Sequence, residues 1–204
     1  MNFSSAHVLI TGATSGIGLA TARLLHDTGA RLTLWDQQAE ALQTQAKMLN
    51  AHADAIDITD ANAVQSAMGQ AVQRAPLTAI IHCAGVLQTG LLETLNLETQ
   101  RRLIDINLYG SLVMAKMAYP HLKAGGGSLI LVASISGFYG SPEYAAYAAT
   151  KAGIINLAQS LRLEWDQSGV HIGVLCPYYV DTPMVHNHRE AKLLKLFGVH
   201  HTPE

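Results

Sequence analysis

His7-Val-Leu-Ile-Thr11-Gly12-Ala13-Thr14-Ser15-Gly16-Ile17-Gly18 is the stretch that decides the fold. A strand-like run over His7–Thr11 passes through three glycines into a helical pattern over Gly16–Asp27. A turn from strand to helix needs backbone freedom and close approach, and glycine supplies both. The helix N-terminus that follows carries partial positive charge and unpaired N–H groups, which suit a pyrophosphate. Such glycines also occur in ordinary loops. Their place between the first strand and the first helix gives them weight.

Outward from this turn, apolar runs and helical patterns alternate. Strands are predicted at Arg31–Trp35, Ala53–Ile56, Thr78–Cys83, Ser128–Ala133 and His171–Cys176. Helices are predicted at Gln38–Asn50, Asp60–Arg74, Glu98–Leu122 and Glu143–Gln167, with Gly125–Gly127 breaking the long one before its strand. The strands are continuously apolar, as expected when helices cover both faces. The reading is an α/β fold, a doubly wound parallel sheet of about six strands, in one domain over residues 1–204.

Composition narrows the class. The chain is 49% hydrophobic and only 14% charged, below the usual quarter, which suggests surface buried between subunits. A formal net charge of −2 leaves no footprint for nucleic acid. No stretch is long and apolar enough to span a membrane. The N-terminus lacks the basic and apolar regions of a secretory leader. Cys83 and Cys176 read as buried free thiols of a reducing cytoplasm.

Two further signals carry chemistry. Tyr147 and Lys151 lie four apart in a helical stretch, so a phenol and an ammonium share one face. A nearby positive charge is expected to lower the phenol's pKa and fit it to exchange a proton with an alcohol or a carbonyl. Asp36 ends the second strand, where a carboxylate accepts hydrogen bonds from both ribose hydroxyls of an adenosine and repels a 2′-phosphate. No Arg or Lys follows at Gln37 or Gln38. NAD(H) is therefore favoured, with NADP(H) left open. The plainer reading of Asp36 is a cap on the next helix.

Thr11-Gly12-x-x-x-Gly16-Ile17-Gly18 with Tyr147-x-x-x-Lys151 resembles the short-chain dehydrogenase/reductase family, from His7 to about Met184. The resemblance implies a Rossmann-type fold and a catalytic set of Asn107, Ser134, Tyr147 and Lys151. It implies cofactor contacts from Gly12, Thr14, Ser15, Gly16, Ile17, Gly18, Asp36, Asp57, Ile58, Ala84, Gly85, Pro177, Val180 and Thr182, besides Tyr147 and Lys151. In that scheme Tyr147 exchanges the substrate proton and Lys151 holds the nicotinamide ribose. Ser134 polarises the substrate oxygen, and Asn107 holds a water in a relay. The implied reaction is hydride transfer between a secondary alcohol and a ketone. Leu87, Tyr139, Tyr144, Tyr178, Tyr179 and Met184 are expected pocket walls for a fairly apolar small molecule. The family also implies a homodimer or homotetramer built on the two long helices.

The sequence departs from the family pattern in three places. His82-Cys83-Ala84-Gly85 replaces the usual Asn-Asn-Ala-Gly, and His82 is expected to be structural. Tyr178 follows Pro177 where glycine is usual. Family members continue beyond the region of Glu204, so the last strand and part of the substrate lid fall outside this sequence. His186, His188, His200 and His201 lack ligand spacing with carboxylates other than Glu190, and no metal is expected. Three rival readings are a catalytically silent nucleotide-binding or regulatory protein, a nucleotide-sugar epimerase or dehydratase, and an NADP(H)-dependent reductase.

Overall fold

The computed structural model describes residues 3–188, 190, 191, 202 and 203. Its strands are β1 (His7–Thr11), β2 (Arg31–Asp36), β3 (His52–Ala55), β4 (Ala79–His82), β5 (Ser128–Val132) and β6 (His171–Leu175). All pair in parallel, in the order β3-β2-β1-β4-β5-β6. Helices α1 (Gly16–Asp27), α2 (Ala39–Met48) and α3 (Ala61–Arg74) alternate with the first four strands. α4 (Leu97–Ile104), α5 (Gly110–Gly125), α6 (Ala145–Glu164) and the short α7 (Pro183–His186) follow.

Side chains alternate along the strands between two cores. Val8, Ile10, Leu32 and Leu34 pack under α1 and α2, with Ala22, Leu42 and Ala46. Leu9, Trp35, Ile80, Leu129 and Leu131 pack on the other face, under Val64, Met68, Met114, Leu122, Ile154 and Ala158 of α3, α5 and α6. Helix starts are set locally. Asp60 accepts from the N–H groups of Asn62 and Ala63, both at 3.0 Å, and opens α3. Asn96 accepts from the Glu98 N–H at 2.7 Å and opens α4.

One element differs from the sequence reading. The helix expected over Glu98–Leu122 is interrupted by a π-helical turn at Asp105–Tyr109. That turn widens the backbone and seats Asn107 in full burial against the carboxyl edge of the sheet. Periodicity alone does not reveal such an insertion, because the apolar spacing continues on both sides. The other boundaries agree within two or three residues. The switch in direction between β1 and β4 opens a crevice at the carboxyl ends of the strands, where ligands of such sheets bind.

Candidate active site

The crevice begins at the glycine turn. Gly12 and Gly16 adopt φ of +66° and +53°. A Cβ on Gly12 would lie 2.9 Å from the Ala84 backbone, and one on Gly18 would run into the Gly12 carbonyl oxygen. Helix α1 starts at an extended Ser15 whose side chain makes no cap, and no acidic residue occupies its first turn. Its first N–H groups are left for an anion. Gly12, Ser15, Gly16, Ile17 and Gly18 all line the crevice. A dinucleotide pyrophosphate fits this cradle, which a side chain at position 12 or 18 would fill.

Asp36 stands at the lip. The Thr14 N–H and hydroxyl donate to its Oδ2 at 3.2 and 2.7 Å, and the Gln38 N–H donates to Oδ1 at 3.1 Å. The carboxylate therefore holds the turn ahead of α2, which it does not cap, and also faces the crevice. Thr14 does not reach the crevice wall; its polar groups are committed to Asp36. Asp57 and Ile58 line the neighbouring wall, and Asp57 Oδ1 accepts from both the N–H and the hydroxyl of Thr59. Trp35, Gln37, Gln38 and Ile56 complete this end. Sequence reading passed over them as lining because nothing in their residue types marks a ligand.

At the other end, Ser134, Tyr147, Lys151, Pro177, Tyr178, Val180, Thr182 and Met184 share the crevice with Ala84 and Gly85. Ser134 follows β5 in extended conformation, and its Oγ accepts from the Ser136 N–H at 3.2 Å. Its proton is thereby turned outward. The Ile135 N–H donates to the Pro177 carbonyl at 3.0 Å and ties the loop after β5 to the loop after β6. Lys151 is buried, donates to the Val132 carbonyl at 2.9 Å, and lies 5.6 Å from the centre of the Tyr147 ring.

Asn107 is committed elsewhere. Its Oδ1 accepts from the Val86 N–H at 2.8 Å, while its Nδ2 donates to the Val86 carbonyl at 2.9 Å and to Thr150 Oγ1 at 3.2 Å. It clamps the segment after β4 that carries Ala84 and Gly85 rather than lining the crevice. Thr150 was not singled out from sequence, although a polar residue beside Lys151 in mid-helix was a usable sign.

The protonation of Tyr147 corrects the sequence expectation. Desolvation raises the phenol, the Ser134 hydroxyl bonded to it pulls part of the way back, and the result is pushed up to about 12. Lys151 does not lower it. Burial instead brings the ammonium of Lys151 down to about 8. At neutral pH Tyr147 is a protonated phenol beside a mostly charged lysine, poised to give a proton rather than to take one.

His82 has the structural part expected of it. Its Nδ1 meets Thr11 Oγ1 at 2.8 Å, and the same hydroxyl accepts from the Ala84 N–H at 3.1 Å. His82 Nε2 has no partner among the described residues. Burial holds the ring neutral, down to about 3. A pKa lowered on folding gives stability that is present above the unfolded value of about 6.5 and lost as pH falls below it. Between pH 7 and 5 this one ring should remove about 2 kcal/mol. Thermal melts at the two pH values should show a smaller drop in His82→Asn than in the native chain; an equal drop would remove His82 as the cause.

Of the histidines weighed for metal, His186 pairs with Asp181, and His188 Nδ1 meets Thr89 Oγ1 at 3.1 Å. His200 and His201 lie outside the described residues. No group of three or more possible ligands occurs among the described residues. Both cysteines are free.

Residues 6–193 match the family model for short chain dehydrogenase. The chain belongs to the short-chain dehydrogenase family. This short-chain dehydrogenase is 34% identical over 190 residues to a cis-4-hydroxycyclohexanecarboxylate dehydrogenase of Sinomonas cyclohexanicum, covering 90% of the chain and 76% of that protein. It is 34% identical over 205 residues to a cyclohexanol dehydrogenase of an Acinetobacter species, covering 97% and 82%. A crystal structure of an actinorhodin polyketide ketoreductase variant with NADPH superposes with a TM-score of 0.88 at 28% identity, over 98% of this chain and 80% of that one. Like these dehydrogenase relatives, the chain is a nicotinamide-dependent oxidoreductase that interconverts secondary alcohols and ketones. The catalytically silent alternative finds no support in them. No helix among the described residues is long and apolar enough to cross a membrane.

Proposed function

We propose that this short-chain dehydrogenase uses NAD(H) and acts on a fairly apolar, ring-sized secondary alcohol or its ketone. The observation that carries the reading is the convergence of Ser134, Tyr147 and Lys151 on one end of a crevice whose other end is the glycine turn and Asp36. Nicotinamide, when bound, exchanges hydride with the carbinol carbon. Tyr147 gives its phenolic proton to the carbonyl oxygen in reduction and recovers it in oxidation. Ser134 donates to the same oxygen and stabilises charge that grows there. The Lys151 ammonium would hold the ribose hydroxyls and keeps positive charge beside the phenol. Asn107 holds Val86, next to Gly85, through two hydrogen bonds and Thr150, next to Lys151, through a third.

Gly12, Thr14, Ser15, Gly16, Ile17, Gly18, Asp36, Asp57, Ile58, Ala84, Gly85, Pro177, Val180 and Thr182 are the proposed cofactor residues, with Thr14 acting through Asp36. Tyr178, Met184, Val185 and Val86 form an apolar and aromatic wall suited to a ring. The names of the dehydrogenase relatives, which act on cyclohexanol and a hydroxycyclohexanecarboxylate, agree with such a substrate. The test is oxidation of NADH and of NADPH by cyclohexanone and related ring ketones. NADH should exceed NADPH by at least about tenfold in kcat/KM, the factor set by about 1.4 kcal/mol of selective binding. Parity, or preference for NADPH, would overturn the cofactor assignment. Failure of all ring ketones, with turnover of open-chain ones, would overturn the substrate assignment.

The proposed assembly is a homodimer or homotetramer through α5 and α6. Tyr109 and Leu112 are each 45% exposed and Leu163 is 83% exposed, apolar surface that a second copy would cover. Sedimentation velocity at micromolar concentration should give a dimer or larger, and a monomer would end this reading. A single domain in a reducing cytoplasm, with Cys83 desolvated and its thiol pushed up to about 12, completes the proposal.

A further inference from the structure

Three tyrosines besides Tyr147 stand at the catalytic end, and they divide into two ranks. Tyr178 lines the crevice, while Tyr144 and Tyr179 lie behind it. Tyr144 is 2% exposed at the entrance to α6 and packs with Tyr147 and Tyr179. Its hydroxyl is hydrogen-bonded to the Tyr179 phenol. Tyr179 in turn meets Tyr178 edge-on, with ring centroids 4.8 Å apart and planes at 66°. Aromatic rings attract in that arrangement. Packing therefore runs from the buried start of α6, through Tyr179, out to a ring on the crevice wall.

The backbone fixes where the Tyr178 side chain begins. The Ile135 N–H donates to the Pro177 carbonyl at 3.0 Å. That bond joins the residue after Ser134 to the residue before Tyr178. The Tyr178 ring therefore rises from the loop after β6 close to Ser134, at the end of the crevice that holds Tyr147 and Lys151. The ring is 42% exposed. A half-exposed tyrosine with no neighbour can change rotamer and yield to a bulky ligand. This one leans on Tyr179, which Tyr144 holds, so yielding gives up the edge-on contact. A wall that does not yield selects by clash, not only by fit.

We propose that Tyr178, braced by Tyr179, sets the size limit of the substrate: it closes the catalytic end of the crevice at a single ring and excludes fused bicyclic ketones and alcohols. The inference rests on the reading of a ring-sized ketone reduced at Tyr147. Tyr178 is then a specificity-determining residue that touches the substrate, and Tyr179 is a positioning residue that acts through it.

The experiment is reduction of cyclohexanone against trans-2-decalone, its fused two-ring analogue, run with NADH and with NADPH. In the native enzyme cyclohexanone should exceed the decalone by about tenfold or more in kcat/KM, the discrimination that a fixed pocket wall supplies. Tyr178→Ala should raise kcat/KM for the decalone by about tenfold and bring the ratio to about one. A gain on the larger ketone is a result that lost packing alone does not give. Tyr178→Phe keeps the ring and its edge-on contact, so its ratio should stay within about twofold of the native one. Tyr179→Ala frees the ring and should lower the ratio part of the way; it reads the brace should Tyr178→Ala fail to fold. Equal kcat/KM for the two ketones in the native enzyme overturns the size limit while leaving the ring-ketone reading intact. A native ratio kept in both alanine variants overturns it too. Reduction of neither ketone by the native enzyme overturns the ring-ketone reading and the size limit together.

Discussion

Tyr147→Phe is expected to lower kcat by about 10² to 10⁴, the usual contribution of a positioned general acid. The ring stays, so its contacts with Leu87, Tyr144 and Val185 stay. Only the hydroxyl leaves, and with it the one proton donor that Ser134 holds by a side-chain hydrogen bond. Ser134 still polarises the carbonyl, but its own proton is needed for that hydrogen bond. Lys151 remains tied to the Val132 carbonyl and cannot replace the phenol. NADH should bind within about threefold of the native affinity in a fluorescence titration, because the pyrophosphate cradle lies at the other end of the crevice. A variant that reduces cyclohexanone at a near-native rate would show that the proton travels by another route.

The second large effect belongs to Gly18→Ala. The added methyl would meet the carbonyl oxygen of Gly12, and the carbonyl carbon at 2.9 Å; both are backbone atoms of the turn itself. A flexible side chain could swing away; a backbone in the first turn of α1 cannot. Relief requires the strand end and the helix start to separate, which also moves the N–H groups that face the anion. Overpacking of this kind costs about 1–3 kcal/mol and more when the backbone resists. The melting temperature should fall by about 5–10 °C, at roughly 2–4 °C per kcal/mol for a chain of this size. Affinity for NADH should fall at least about tenfold. A variant that melts within a degree of the native protein and binds NADH normally would mean that the turn is looser than its geometry implies.

The sheet was legible because short, continuously apolar runs alternate with helical patterns from His7 to Cys176. The glycine turn was legible because backbone constraint leaves a mark in residue type. Tyr147, Lys151, Ser134 and Asp36 were legible because their spacing from strand ends and from each other is fixed by the fold. What the sequence could not carry was the balance of competing influences at one atom. Tyr147 and Lys151 share a helix face as expected, yet desolvation outweighs the ammonium, and the phenol's pKa moves up rather than down. Burial depth is a property of the whole packed molecule, so no four-residue spacing encodes it. The π turn at Asp105–Tyr109 was hidden because one extra residue per turn leaves the apolar rhythm on either side intact. Thr14 was expected on the crevice wall and instead serves Asp36, a contact across 22 residues that only the folded turn creates.

That last contact has a consequence for how a nucleotide is sorted. Two donors from Thr14 and one from Gln38 hold the Asp36 carboxylate in place, so on the proposed NAD(H) reading an adenosine would lose little affinity to ordering it. The same anchoring couples discrimination to the architecture of the loop. Redesign toward a phosphorylated ribose cannot treat position 36 alone, since removing the acid strands the Thr14 amide and hydroxyl beside the very glycines that shape the entrance.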